Sequence, residues 1–185
     1  MIQFSKIKFP PIKYKPLAQK PEELIYKSGL RFGYGPKADF FIMLRTKEPK
    51  KHSYMIVSPQ EIERDGKTNV PSLYIWKIFS NPMKSGFGTK MLNFAKYYSE
   101  KKGLKGYFHL EASPIYTPQS VPHIFYGKYG MNTKSPKLNK KIEIFIKNKK
   151  QATQEDFPNT VMYYPPIKYE TILEKIKKFF SNLVK

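Results

Sequence analysis

Between residues 72 and 112 the hydrophobic pattern changes period twice. Residues 72–80 (Ser-Leu-Tyr-Ile-Trp-Lys-Ile-Phe-Ser) make a short apolar run suited to a strand. From residue 89 to 102, Met91, Leu92, Ala95 and Tyr98 recur at helical spacing, with Lys90, Lys96 and Glu100 off the stripe. Gly103, behind Lys101 and Lys102, marks the stop of that helix. Residues 107–112 then read as a strand again. A strand, a helix of crossover length and a second strand predict a parallel pair. That unit excludes all-helical and purely antiparallel folds.

The flanking segments add antiparallel strands. Residues 39–45 and 53–63 are apolar runs, the second interrupted near Pro59, and Asp65-Gly66 has the chemistry of a tight hairpin turn into the strand at 72. Residues 121–129 predict a second short helix ending at Gly130. Residues 141–147 (Lys-Ile-Glu-Ile-Phe-Ile-Lys) alternate like a strand that pairs with residues 160–164 in a terminal hairpin. The expectation is one α/β domain over residues 1–185. Its mixed, mostly antiparallel sheet has a central parallel strand pair and flanking helices.

Both ends differ in character from this core. Residues 1–37 hold Pro10, Pro11, Pro16, Pro21 and Pro36 among many lysines and predict an extended arm, with a short helix at 21–27 closed by Gly29. Residues 169–185 place Ile172, Leu173, Ile176, Phe179, Phe180 and Leu183 on one helical face, which predicts an amphipathic helix capping the domain. Docking on a membrane surface is the other use of such a helix.

The chain has no cysteine, which removes disulfides, thiolate catalysis and cysteine-based zinc sites. Its histidines, His52, His109 and His123, are scattered. The first residues lack an apolar secretory segment, and no window approaches the roughly 18 apolar residues of a membrane span, so the expectation is a cytoplasmic protein. The net charge of +20 favours encounters with polyanions, including nucleic acid, anionic membrane and acyl-CoA phosphates. Lysine supplies nearly all of it, the arginines being Arg31, Arg45 and Arg64.

The turn Asn81-Pro82-Met83-Lys84-Ser85-Gly86-Phe87-Gly88-Thr89 lies between the strand and the helix. Its two glycines permit close backbone approach to a ligand, and the amides opening the helix suit a pyrophosphate. It lacks the Gly-Lys-Ser/Thr of a Walker loop and the third glycine of a dinucleotide fingerprint. Taken alone, a Gly-x-Gly pair equally marks an ordinary tight turn.

In context, this turn leads into Met91-Leu92-Asn93-Phe94-Ala95, the strand Phe108-His109-Leu110-Glu111-Ala112-Ser113 and Phe125-Tyr126-Gly127-Lys128-Tyr129-Gly130-Met131. The arrangement resembles the GNAT superfamily of N-acyltransferases over residues 39–147. The resemblance implies a GNAT-like fold and the transfer of an acetyl group from acetyl-CoA to a primary amine on an unknown acceptor. It also implies that Lys84, Ser85, Gly86, Phe87, Gly88 and Thr89 cradle the pyrophosphate, and that Ile78 and Phe79 bond the pantetheine arm. Tyr126 falls where the family places the acid that protonates the departing thiolate. Met83 replaces the family's Arg/Gln, Gln119 its asparagine and Pro122 its alanine, and residues 72–80 hold no carboxylate.

Glu111 and His109, two apart on one strand, are the candidates for a base, against a plain reading as a solvent-facing acid and a hydrogen-bonded histidine. His123 is a further candidate, and Ser120 reads as a helix cap. For Tyr126 the plain alternative is a packed ring. A rival reading of the whole chain is a catalytically idle GNAT-like protein that holds nucleic acid or another polyanion through its basic surface.

Overall fold

The computed structural model describes residues 22–30, 38–45, 52–81, 85–114 and 121–168. The elements are β1 (Glu22–Leu30), β2 (Ala38–Arg45), β3 (His52–Arg64), β4 (Lys67–Asn81), α1 (Phe87–Lys101), β5 (Phe108–Ala112), α2 (Pro122–Lys128), β6 (Asn132–Thr133), α3 (Pro136–Lys147) and β7 (Thr160–Tyr164). They form a mixed α/β structure, mostly antiparallel with one parallel pair. The chain divides into two compact units, and β3 and β4 each contribute residues to both.

The first unit takes residues up to Pro59 together with Leu73–Gly106. Its strands follow the order β1-β2-β3-β4. β1 and β2 pair antiparallel with Ile25 opposite Ile42, and β2 pairs with β3 with Ile42 opposite Tyr54. Met55, Val57, Leu73 and Ile75 turn one sheet face into the core. Against them α1 lays Met91, Leu92, Phe94 and Ala95, the stripe its period predicts. The seating of α1 is fixed by a polar contact. Tyr98 donates its hydroxyl proton to Asp39, which lies opposite Val57 on that same face. The helix closes as its sequence suggests, with Gly103 at φ 76° and Leu104 N–H bonded to the Ser99 carbonyl at 2.8 Å.

The second unit takes Gln60–Ser72 and the described residues from Tyr107 onward. Its strand order is β3-β4-β5-β7-β6. The β3–β4 hairpin turns at Asp65 and Gly66, both at positive φ (52° and 72°), as a two-residue turn requires. β5 pairs antiparallel with β7, Phe108 facing Tyr164 with their rings stacked at 4.8 Å. Phe108, Leu110, Phe157 and Met162 form the core, roofed by Ile142 and Phe145 of α3. α2 meets α3 at Gly127, where an added Cβ would lie 2.5 Å from Ile142 Cγ2.

A buried arginine ties this unit's hairpin to the chain's later course. Arg64, 3% exposed, donates from Nη2 to the Pro165 and Pro166 carbonyls at 2.5 and 3.2 Å and lies 4.4 Å above the Tyr107 ring. Asp65 Oδ1 accepts the Lys168 amide at 2.6 Å, and Asn132 pairs with both amide and carbonyl of Ile167 at 2.9 Å.

Three expectations are corrected. Residues 141–147 are helix, not strand, so β7 pairs with β5 and β6 rather than closing a terminal hairpin. Ser135 caps α3 by accepting the Leu138 amide, Pro136 opens it, and Ile142 and Phe145 are the inward pair, while Ile144 is exposed. The alternation of isoleucines was incidental to that i, i+3 pair. Residues 21–27 were expected as a helix, yet 22–30 form strand β1. Pairing with β2, a tertiary contact, overrides the local helical signal. β3 also runs unbroken through Pro59. Of the arm expected at 1–37, residues 1–21 and 31–37 lie outside the described residues, as does the helix expected at 169–185.

Candidate functional site

In the first unit, β4 delivers Ile78 and Phe79 toward the turn, and α1 begins directly after Gly86. Lys84 lies outside the described residues; Ser85 and Gly86 are exposed. Gly86 is the N-cap residue at φ 83°, ψ −10°, a left-handed conformation that a side chain would strain. A Cβ built there meets nothing within 4 Å, so the backbone faces open space. The first bond of the helix runs from the Lys90 amide to the Gly86 carbonyl at 3.1 Å. The amides of Phe87, Gly88 and Thr89 therefore have no acceptor within the helix.

Gly86 has no side chain with which to cap this end, and the first turn of α1 holds no acid. The helix dipole thus meets no carboxylate of its own first turn. Phe87, 2% exposed, anchors the turn in the core, so only its backbone is placed to meet a ligand, whereas Thr89 is exposed. The local chemistry is that of an anion acceptor made from main chain.

The other expected residues belong to the second unit. His109 and Glu111 project from the same face of β5, as alternation requires, opposite Tyr163 and Val161 respectively. His109 is buried and Glu111, toward the strand end, is exposed. His109 Nδ1 lies 2.9 Å from Ser72 Oγ, itself fully buried. Burial, reinforced by the Arg64 charge, holds the imidazole down at about 4, so it is neutral at physiological pH.

Tyr126 points inward on α2, 7% exposed, while its neighbour Phe125 is the exposed ring. By helical spacing residues 121, 125 and 129 share one face and leave 126 turned away, and Val121 is indeed buried at the N-cap. The short helix instead buries 123 and 126, an i, i+3 pair. Burial pushes the Tyr126 phenol well above its ordinary value, so it keeps its proton.

His123 stacks on Phe157 at 5.1 Å, and its Nε2 lies 2.9 Å from the Pro158 carbonyl. Burial lowers its basicity. Ser120 lies outside the described residues, and Val121 occupies the N-cap of α2. Among the described residues no cluster of three or more His, Asp or Glu would hold a metal ion.

Set beside known protein families, curated proteins and solved structures, the chain matches none. Its chemistry therefore rests on its own residues.

Two features escaped the sequence reading. Ser72 was taken as a strand start, and its contact with His109 depends on the pairing register rather than on any local pattern. The outward rings of β3 and β4 in the first unit were legible in principle: Tyr54, Tyr74 and Trp76 all stand on alternate, even positions facing away from α1.

Proposed function

We propose that the chain is an acetyltransferase of the GNAT type, moving an acetyl group from acetyl-CoA to a primary amine. The observation that carries this reading is the open start of α1 at Gly86, where a left-handed glycine leaves the backbone facing free space. In the proposal, the amides of Ser85, Gly86, Phe87, Gly88 and Thr89 receive the pyrophosphate, Lys84 adds charge, and the main chain of Ile78 and Phe79 bonds the pantetheine amides.

The amine nitrogen attacks the thioester carbonyl carbon, forming the C–N bond. The C–S bond then breaks with its electron pair leaving on sulfur. Two proton movements accompany this: the amine loses one, and the thiolate gains one. Tyr126, held protonated by burial, has the right charge state to supply the second. In the proposal Glu111, which is exposed on β5, is the base candidate that solvent can reach. His109 is neutral and so able to accept a proton, but its Nδ1 is engaged with Ser72.

Calorimetric titration with acetyl-CoA tests the reading. Wild-type protein binds with micromolar affinity in this proposal, and Gly86→Val loses binding by tenfold or more while remaining folded. Absence of binding to folded wild-type protein overturns it.

A further inference from the structure

We propose that the first unit's sheet face opposite α1 is a stacking platform for single-stranded nucleic acid, built on Trp76 and Phe79 with Lys77 between them. The inference goes beyond acetyl transfer and stands without it.

In β4, Leu73 and Ile75 turn inward under α1, which sends Tyr74 and Trp76 to the opposite face. There the indole is held in place. Its Nε1 donates to Ser58 Oγ at 2.8 Å, and Tyr74 abuts it edge-on, centroids 4.7 Å apart at 77°. Despite these constraints Trp76 is 49% exposed. Phe79, whose odd position would turn it toward α1 by strict alternation, is brought to this face by its ring, which stacks on Tyr54 at 5.2 Å and 26° and is 40% exposed. Two oriented rings therefore present area to solvent, three residues and roughly 10 Å apart along one strand. The buried half of each ring serves the fold, while the exposed half adds nothing to stability and offers an already oriented surface on which a base stacks.

Charge decides the occupant. The β3 and β4 segments of this face, residues 52–59 and 73–81, contain no Asp or Glu, the acids of the neighbouring strands being Glu22 and Glu23 of β1 and Asp39 of β2, and Lys77, between Trp76 and Phe79 in sequence, is exposed with its Nζ 5.8 Å from the Tyr54 centroid. The whole chain carries +20. A second copy would bring the same charge to the interface and be repelled, and an apolar partner would have to desolvate Lys77. A strand of unpaired nucleotides satisfies both needs, with bases for the rings and phosphates for the lysine. Stacking is tolerant of sequence, because every base has a π face.

Trp76 is the chain's single tryptophan, so its fluorescence, excited at the red edge of the indole band, reports this surface alone. Titration with a short uridine or thymidine homo-oligomer is expected to give saturable quenching, with affinity falling as salt rises. For variants, polarisation of a labelled oligomer replaces the intrinsic signal. Trp76→Ala and Phe79→Ala each weaken binding roughly tenfold. Trp76→Phe, which keeps a ring, retains most of it, and Lys77→Gln lowers the salt slope by about one.

Circular dichroism and melting curves establish that each variant is folded. Equal affinity for a duplex of the same length, or binding unchanged in folded Trp76→Ala, overturns the proposal. So does a Trp76 signal that follows protein concentration without nucleic acid, which would identify a second copy as the occupant.

Discussion

Ser72 Oγ and His109 Nδ1 meet at 2.9 Å in the buried interior of the second unit, joining β4 to β5 by side chains. The imidazole is kept neutral there, its value depressed from 6.5 to about 4 by burial and by Arg64. The unfolded chain therefore binds more protons than the folded one between those two values. The stabilisation is complete above pH 6.5, erodes as pH falls through the window, and is gone by about pH 4, with at most about 3 kcal/mol at stake. Denaturant unfolding at neutral pH and near pH 4.5 should show a shallower acid loss in His109→Gln than in wild type. Identical slopes would show that His109 does not govern this loss.

Gly127→Ala places a methyl 2.5 Å from Ile142 Cγ2, inside a branched and buried neighbour that has little room to yield. The expected cost is about 1–2 kcal/mol, the gain in helix propensity offsetting part of the overlap. The double variant with Ile142→Ala should show a favourable coupling energy in a double-mutant cycle, measured by chemical denaturation.

Arg64→Leu removes two bonds to the Pro165 and Pro166 carbonyls and the stack on Tyr107 at once. It should destabilise the protein by roughly 2–4 kcal/mol. Arg64→Lys should recover only part of this, because an ammonium cannot reproduce the planar fork. Equal stability of the lysine variant and wild type would show that charge alone is what the site requires.

Tyr126→Phe separates chemistry from binding. On the proposed reading, turnover falls by about a hundredfold or more while acetyl-CoA affinity changes by less than threefold. A parallel loss of both, read by steady-state kinetics and calorimetry, would assign the hydroxyl to packing.

How far the fold was legible depends on where the information lay. Asp65-Gly66 and the helical stripe at Met91, Leu92, Ala95 and Tyr98 are local signals, and the structure follows them closely. α3 misled because Ile142, Ile144 and Ile146 alternate by coincidence, while the burial that matters is Ile142 with Phe145. β1 misled because its state is set by pairing with β2, a contact its own residues do not announce.

The candidate site divides in the same way. Gly86 is readable from sequence because a glycine between a strand pattern and a helical stripe marks a tight turn, and the residue does adopt the positive φ such a turn uses. Tyr126 is harder, since α2 has under two full turns and its inward face is chosen by α3. The Ser72–His109 contact needed the register of β4 and β5, which no motif specifies.

The Arg64 clasp also sets an order of events as the chain leaves the ribosome. Its acceptors lie 101 and 102 residues downstream, and the Asp65 bond to the Lys168 amide spans 103. The first unit has all its residues once Gly106 has emerged. The hairpin arms of the second must wait, half-dressed, for strand β7 and the prolines after it. During that interval Arg64 and Ser72, the buried residues of that hairpin, lack the carbonyls and the imidazole that later satisfy them.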